Sequence, residues 1–245
     1  MGLRPLRPSN LIRVMPAKEV RSIVLPRIHC ITDLDGAPAE SDLALLAAVC
    51  RVGVDAVQVR AKHLTDAALV DLTREVVGRV RRLGARVIVN DRVDVALATG
   101  ADGVHLGRED LSIADARRLV PEGFLVGGTC RNVRHAERAR AEGADYVGVG
   151  PVFATTSKTG LPDPVGLVTL REVAPVLPAV AIAGITAERV PEVMATGAHG
   201  IAVIAAISRA EDPVGAARDL VAAVHRHRQP PPFPPSQEAT TPTSR

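Results

Sequence analysis

The feature that most constrains the fold is a strand-then-helix alternation repeated eight times over about 200 residues. Short, mostly apolar segments at 28–32, 56–60, 86–90, 103–106, 125–129, 146–149, 179–183 and 200–204 read as strands. Helical patterns fall between and after them at 41–51, 64–83, 92–98, 112–119, 132–141, 165–175, 187–195 and 212–225. Strands separated by helices pair in parallel through right-handed crossovers, and eight such units predict a single α/β domain, a (β/α)8 TIM barrel over 27–226. Aromatic residues are only 2% of the chain and tryptophan is absent, so the core must be built from Ala, Val, Leu and Ile, which suits parallel strands covered on both faces. The rival is a doubly wound open sheet. It would more often carry a Gly-x-Gly-x-x-Gly turn after its first strand, and Thr32-Asp33-Leu34-Asp35-Gly36 is not one. Ser41, Thr65, Ser112 and Thr186 stand where helix N-caps are expected.

The flanks differ in character. Residues 1–26 carry four prolines among arginines and read as a basic N-terminal extension, with Met15 an alternative start. Residues 227–245 are proline-rich and read as a disordered tail. The net charge of +3 resides toward the ends: residues 1–26 carry +4 and residues 225–245 carry +2, which leaves 27–224 at about −3. That argues against a nucleic-acid partner. Three cysteines without Cys-x-x-Cys spacing indicate neither a disulfide framework nor a zinc site. No apolar run could span a membrane, so a cytoplasmic protein with no membrane partner is expected. A homo-oligomer is left open.

Barrel active sites lie at the C-terminal ends of the strands, and polar residues cluster at those ends here. In Gln58-Val59-Arg60-Ala61-Lys62, alternate residues of an extended chain converge, so Gln58, Arg60 and Lys62 share one side while Val59 and Ala61 face the helices. Neighbouring cations repel unless an anion sits between them, and a diphosphate fits. Asn90-Asp91 ends the third strand and the loop after the fourth carries Glu109-Asp110; Asp91 and Asp110 could hold Mg²⁺ bridging to phosphate oxygens. Alternatively Asp91 caps a helix and Asp110 is solvated. His105 reads as a hydrogen-bonded core residue, and Cys130 as a reactive thiol or an apolar filler. After the sixth strand, Thr155, Ser157 and Lys158 could hold an anion, or form a plain polar loop. The small residues Gly184, Ala205 and Ala206 would let backbone N–H groups approach a second phosphate.

Four stretches, Gln58-x-Arg60-x-Lys62, the segment from Val89 to Asp94, the segment from Asp102 to Asp110 and the segment from Gly143 to Phe153, resemble thiamine phosphate synthases in order and spacing. The likeness runs from about 28 to 207. It implies a Mg²⁺-dependent transferase of thiamine biosynthesis acting on phosphorylated small molecules: hydroxymethylpyrimidine diphosphate and hydroxyethylthiazole phosphate give thiamine phosphate and diphosphate. By the same resemblance residues 58–62 and Asn90 hold the pyrimidine diphosphate, Asp91 and Asp110 the metal, and Thr129 the pyrimidine. Thr155, Thr156 and Ser157, with Gly184, Ile204 and Ala205, take the thiazole phosphate, while Lys158 joins Arg60 and Lys62 on the leaving diphosphate. The chain departs from the family pattern at Thr129 and Ala205, usually serine, at Arg131, often histidine, at Ala154, usually proline, and at Ala183, usually glycine. Ala205 removes a hydroxyl from the expected phosphate pocket. The rivals are a thiazole tautomerase of the same family, which would use histidine where Arg131 stands, and a non-catalytic barrel binding phosphorylated ligands.

Overall fold

The computed structural model describes residues 24–32, 34, 39–155 and 160–227. The expectations for a basic extension and a disordered tail therefore fall almost wholly outside the described residues, as do Thr156, Ser157 and Lys158. Strands β1 (Ile28–Ile31), β2 (Ala56–Val59), β3 (Arg86–Asn90), β4 (Gly103–Leu106), β5 (Leu125–Cys130), β6 (Tyr146–Val149), β7 (Ala179–Ile182) and β8 (Gly200–Val203) form a closed parallel barrel in sequence order. Closure is made by β8 against β1, with Ile28 opposite Ile201 and Cys30 opposite Val203. The helices are α1 (Glu40–Arg51), α2 (Asp66–Val80), α3 (Val93–Thr99), α4 (Ile113–Leu119), α5 (Val133–Ala141), α6 (Gly166–Val173), α7 (Val190–Met194), α8 (Ala205–Ser208) and α9 (Pro213–Arg226). The TIM barrel read from the alternation is thus the observed fold. α8 was not expected, because four residues are too few to register a helical period.

Alternation along each strand divides the core in two. Ile31, Ala56, Ile88, Tyr146, Val180 and Ala202 point inward and pack in the barrel. Their sequence neighbours, among them Val57, Val87, Val147 and Ile201, face the helices. α2 meets them with Leu69, Leu72, Val76 and Val80, spaced three and four apart on one buried face. Each such fully buried side chain stabilises the fold by ~1.5–3 kcal/mol. The single tyrosine, Tyr146, fills the barrel interior, and β5 makes room with Gly127, where a Cβ would collide with the Tyr146 ring.

At the N-terminal end of the barrel the Asp55 carboxylate accepts the backbone N–H groups of Arg27 and Ile28, while Arg27 Nε donates to the His199 carbonyl. His199 in turn is 3.1 Å from the Leu25 carbonyl, so residues 25–27 belong to the barrel floor. Thr65 and Ser112 cap α2 and α4 as expected. Ser41 does not cap α1: it lies inside the helix, and the Asp42 carboxylate reaches back to the Ala39 N–H at 2.8 Å instead. Thr186 precedes a short 3-10 turn, 187–189, without making a side-chain cap bond.

Candidate active site

A cavity of about 910 Å³ opens at the C-terminal ends of the strands. Gln58, Arg60 and Lys62 line it, whereas Val59 and Ala61 are buried in the layer between strands and helices. The period of two thus sorts the segment as its pattern predicted, and the 59 and 61 side chains lie away from the cavity. Thr32 fixes the end of β2: its hydroxyl accepts the Arg60 N–H at 2.8 Å and donates to the Arg60 carbonyl at 2.9 Å. Gln58 is 4% exposed and lines the cavity between strands β1 and β3.

Asn90 and Asp91 follow β3 on the cavity wall. Asp91 does not cap α3, whose start makes no side-chain cap bond. Instead Asp91 sits at φ 67°, a left-handed conformation that non-glycine residues adopt rarely and mostly where function over-determines the backbone. Its carboxylate is 3.3 Å from Lys62 Nζ. Asp110 is half-buried, not solvated, and accepts the Gly107 N–H at 2.6 Å. Burial raises its carboxyl above the ordinary range, and a hydrogen bond with Asp91 raises it further. Two carboxylates pressed together in this way concentrate negative charge that a cation would relieve. Among the described residues no group of three or more His, Cys, Asp or Glu converges, so this pair is a two-carboxylate site that would leave most positions of a bound ion to water and ligand. Asp94 lies outside, paired with Arg92 at 2.6 Å.

The cavity floor is neutral. His105 Nδ1 is 3.2 Å from the Tyr146 hydroxyl and Nε2 is 3.2 Å from the Thr129 hydroxyl. The His29 ring also packs against Tyr146, tilted by 52° with centroids 5.4 Å apart. Burial pushes both imidazoles down to about 4 and holds the tyrosine phenol well up, so at neutral pH the row presents hydrogen-bonding groups without charge. Cys130 is fully buried, its thiol raised by that burial and bonded to the Asn132 carbonyl, so the filler reading holds.

Across the barrel, the segments after β7 and β8 bring Ala183, Gly184, Ile204, Ala205 and Ala206 to the cavity, with Thr155 from the loop after β6. Ala183 and Gly184 both have positive φ, 76° and 68°. A Cβ on Gly184 would lie 2.7 Å from both the Ala154 carbonyl and Phe153 Cβ, so only glycine fits there.

The family model described as thiamine monophosphate synthase matches residues 28–207. The chain belongs to the thiamine monophosphate synthase family. A thiamine-phosphate synthase of Methanoculleus marisnigri is 46% identical over 197 residues, covering 79% of this chain and 92% of the relative. One of Salinispora arenicola is 45% identical over 205 residues, covering 82% and 98%. Among solved structures, a thiamine phosphate pyrophosphorylase from Pyrococcus furiosus superposes with a TM-score of 0.73 at 34% identity, over 82% of this chain and 96% of its own.

For a thiamine monophosphate synthase family member, the departures noted in the sequence all border the cavity. Thr129 keeps a hydroxyl within reach of His105. Arg131 lines the wall and donates to the Asp163 carbonyl at 2.8 Å, tying β5 to the stretch before α6. Ala183 carries a Cβ in a backbone conformation that suits glycine. Several lining residues lay outside the sequence reading: His29, Tyr146, Arg108 and Arg189. The alternation rule that found Gln58 and Arg60 also points His29 and Tyr146 inward, and that signal was there to use. Arg189, seven residues beyond β7, carries no such mark.

Proposed function

We propose that this family member joins hydroxymethylpyrimidine diphosphate to hydroxyethylthiazole phosphate, forming thiamine phosphate and releasing diphosphate. The reading is carried by one observation: two cations, Arg60 and Lys62, and a carboxylate pair, Asp91 and Asp110, converge on one wall of a cavity whose floor is uncharged. In this reaction the bond from the pyrimidine methyl carbon to the diphosphate oxygen breaks, and its electron pair leaves with the diphosphate. The thiazole nitrogen then donates its lone pair to the carbon and becomes the quaternary nitrogen of the product. Arg60 and Lys62 meet the charge growing on the leaving oxygens, where preorganised cations act most strongly. Gln58 and Asn90 orient the diphosphate end. The floor formed by Thr129, His105 and Tyr146 receives the pyrimidine ring and places no cation against the electron-poor carbon. No proton is removed in the bond-forming step, and burial raises the Cys130 thiol and so keeps it from supplying a competing thiolate.

Mg²⁺ fits the hard oxygen donors of Asp91 and Asp110, and when bound it would neutralise diphosphate charge. Gly184, Ile204 and Ala205, with Thr155 and the adjoining residues Thr156 and Ser157, would take the thiazole phosphate, and Lys158 would add a third cation to the diphosphate. Soluble phosphorylated substrates and free cysteines fit a cytoplasmic setting. Among the described residues no helix is long and apolar enough to cross a membrane.

The test is thiamine phosphate formation from both substrates, with Mg²⁺ and with chelator, beside Asp91→Ala. Turnover should require Mg²⁺ and fall by on the order of 100-fold or more in the variant. Equal rates in chelator, or a variant as active as the parent, would refute the assignment of the carboxylate pair; absence of product in every arm would refute the reaction.

A further inference from the structure

The segments following β7 and β8 line one side of the cavity, and of the described residues they contribute only Arg189 is charged. Its guanidinium is fixed twice. Nη1 donates to the Gly184 carbonyl at 2.7 Å, and the carbon of the guanidinium lies 4.5 Å above the Phe153 ring. β7 is four strands round the barrel from β3, so Arg189 stands across the mouth from Asp91 and Lys62. Around it the wall is small and uncharged: Ala183, Gly184, Ile204, Ala205 and Ala206. Thus Arg189 gives this side of the cavity a cation of its own, apart from Arg60 and Lys62 and beyond Arg108 and Arg131 on the wall between, and each of the two substrates carries one anionic group.

We infer that Arg189 binds the phosphate of the thiazole substrate, supplying the contact that a hydroxyl at position 205 would otherwise give. This rests on the reaction proposed above. An arginine suits the task for physical reasons. Stacking on Phe153 and the bond to Gly184 hold the planar fork in one orientation, which reduces the ordering entropy of binding. The remaining N–H donors match two phosphate oxygens at once. The backbone carbonyl it engages belongs to the glycine that forms the pocket, so the same side chain shapes the loop and charges it.

The test is calorimetric titration of wild type, Arg189→Gln and Arg189→Lys with three ligands: hydroxyethylthiazole phosphate, the unphosphorylated hydroxyethylthiazole, and hydroxymethylpyrimidine diphosphate. Arg189→Gln should weaken the thiazole phosphate roughly 10- to 100-fold, the loss expected for a hydrogen bond to a charged group. Binding of the alcohol and of the pyrimidine diphosphate should stay within about twofold of wild type, and Arg189→Lys should recover part of the loss. In turnover the same variant should raise KM for the thiazole phosphate and leave that for the pyrimidine diphosphate unchanged. Unaltered thiazole phosphate affinity would overturn the inference. So would equal weakening of all three ligands, the signature of an arginine that only braces the loop. Wild-type protein that binds thiazole phosphate but forms no thiamine phosphate would refute the reaction while the titrations still decide the arginine.

Discussion

Ala183→Gly should stabilise this protein. Ala183 follows β7 at φ 76°, where the Cβ of an L-residue crowds the neighbouring carbonyl oxygen at a cost of roughly 1–2 kcal/mol. The conformation is imposed from outside: the Val152 N–H bonds the Ile182 carbonyl at 2.9 Å and the Phe153 N–H bonds the Ala183 carbonyl at 3.2 Å, so the turn cannot relax without breaking the link to the loop after β6. Glycine removes the crowding but gains freedom in the unfolded chain, which offsets about 0.5–1 kcal/mol. The methyl group lines the cavity, so little buried packing is lost with it. The net gain is about 0.5–1 kcal/mol, and for a domain of some 200 residues that raises Tm by about 1–4 °C. Scanning calorimetry, paired with urea unfolding to confirm an unchanged m-value, measures this directly. A Tm equal to or below that of the parent would refute the reasoning and mean that the left-handed turn carries no strain at Ala183.

Two further expectations follow from the barrel interior. His29 and His105 titrate near 4 in the folded protein against 6.5 when exposed, so the unfolded chain takes up their protons first; stability should be flat above about pH 7 and fall as pH drops from 6.5 toward 4, by up to ~1.4 kcal/mol per pH unit for each group. Urea midpoints at pH 7.5 and 5.0 check the sign, and a midpoint that rises on acidification would refute it. Gly127→Ala should destabilise by about 1–3 kcal/mol, because its Cβ would collide with the buried Tyr146 ring, which also packs against the His29 and His105 rings. A variant with parental stability in urea would show that the ring can move.

The sequence was most informative where one period governed a residue's fate. A period of two was enough to send Gln58, Arg60 and Lys62 to the cavity and Val59 and Ala61 to the outer layer. The same regularity hid His29 and Tyr146, since an inward side chain at mid-strand looks like core until the depth of the cavity is known. Asp91 and Asp110 could be proposed as a pair, but their mutual hydrogen bond depends on the left-handed turn at Asp91 and on the Gly107 N–H, neither of which is a property of local pattern. Arg189 was invisible for a simpler reason: its position is set by Phe153, 36 residues earlier, through a ring contact that no nearby residue announces. Ser41 shows the opposite error: the helix starts earlier, at Glu40, and the Asp42 carboxylate reaches back to the Ala39 N–H, which leaves Ser41 inside the helix.

Both ends of the barrel emerge on the face away from the cavity. β1 starts at the floor closed by Asp55 and Arg27, and the second half of α9 descends to the same level, where Val221 packs under Gly53 in the turn before β2. A tether joined at residue 24 or at residue 227, whether a fused enzyme, an affinity handle or a solid support, would therefore start from the face opposite the mouth. Attachment at both of these points at once would keep the anchors and the incoming substrates on opposite faces of the barrel.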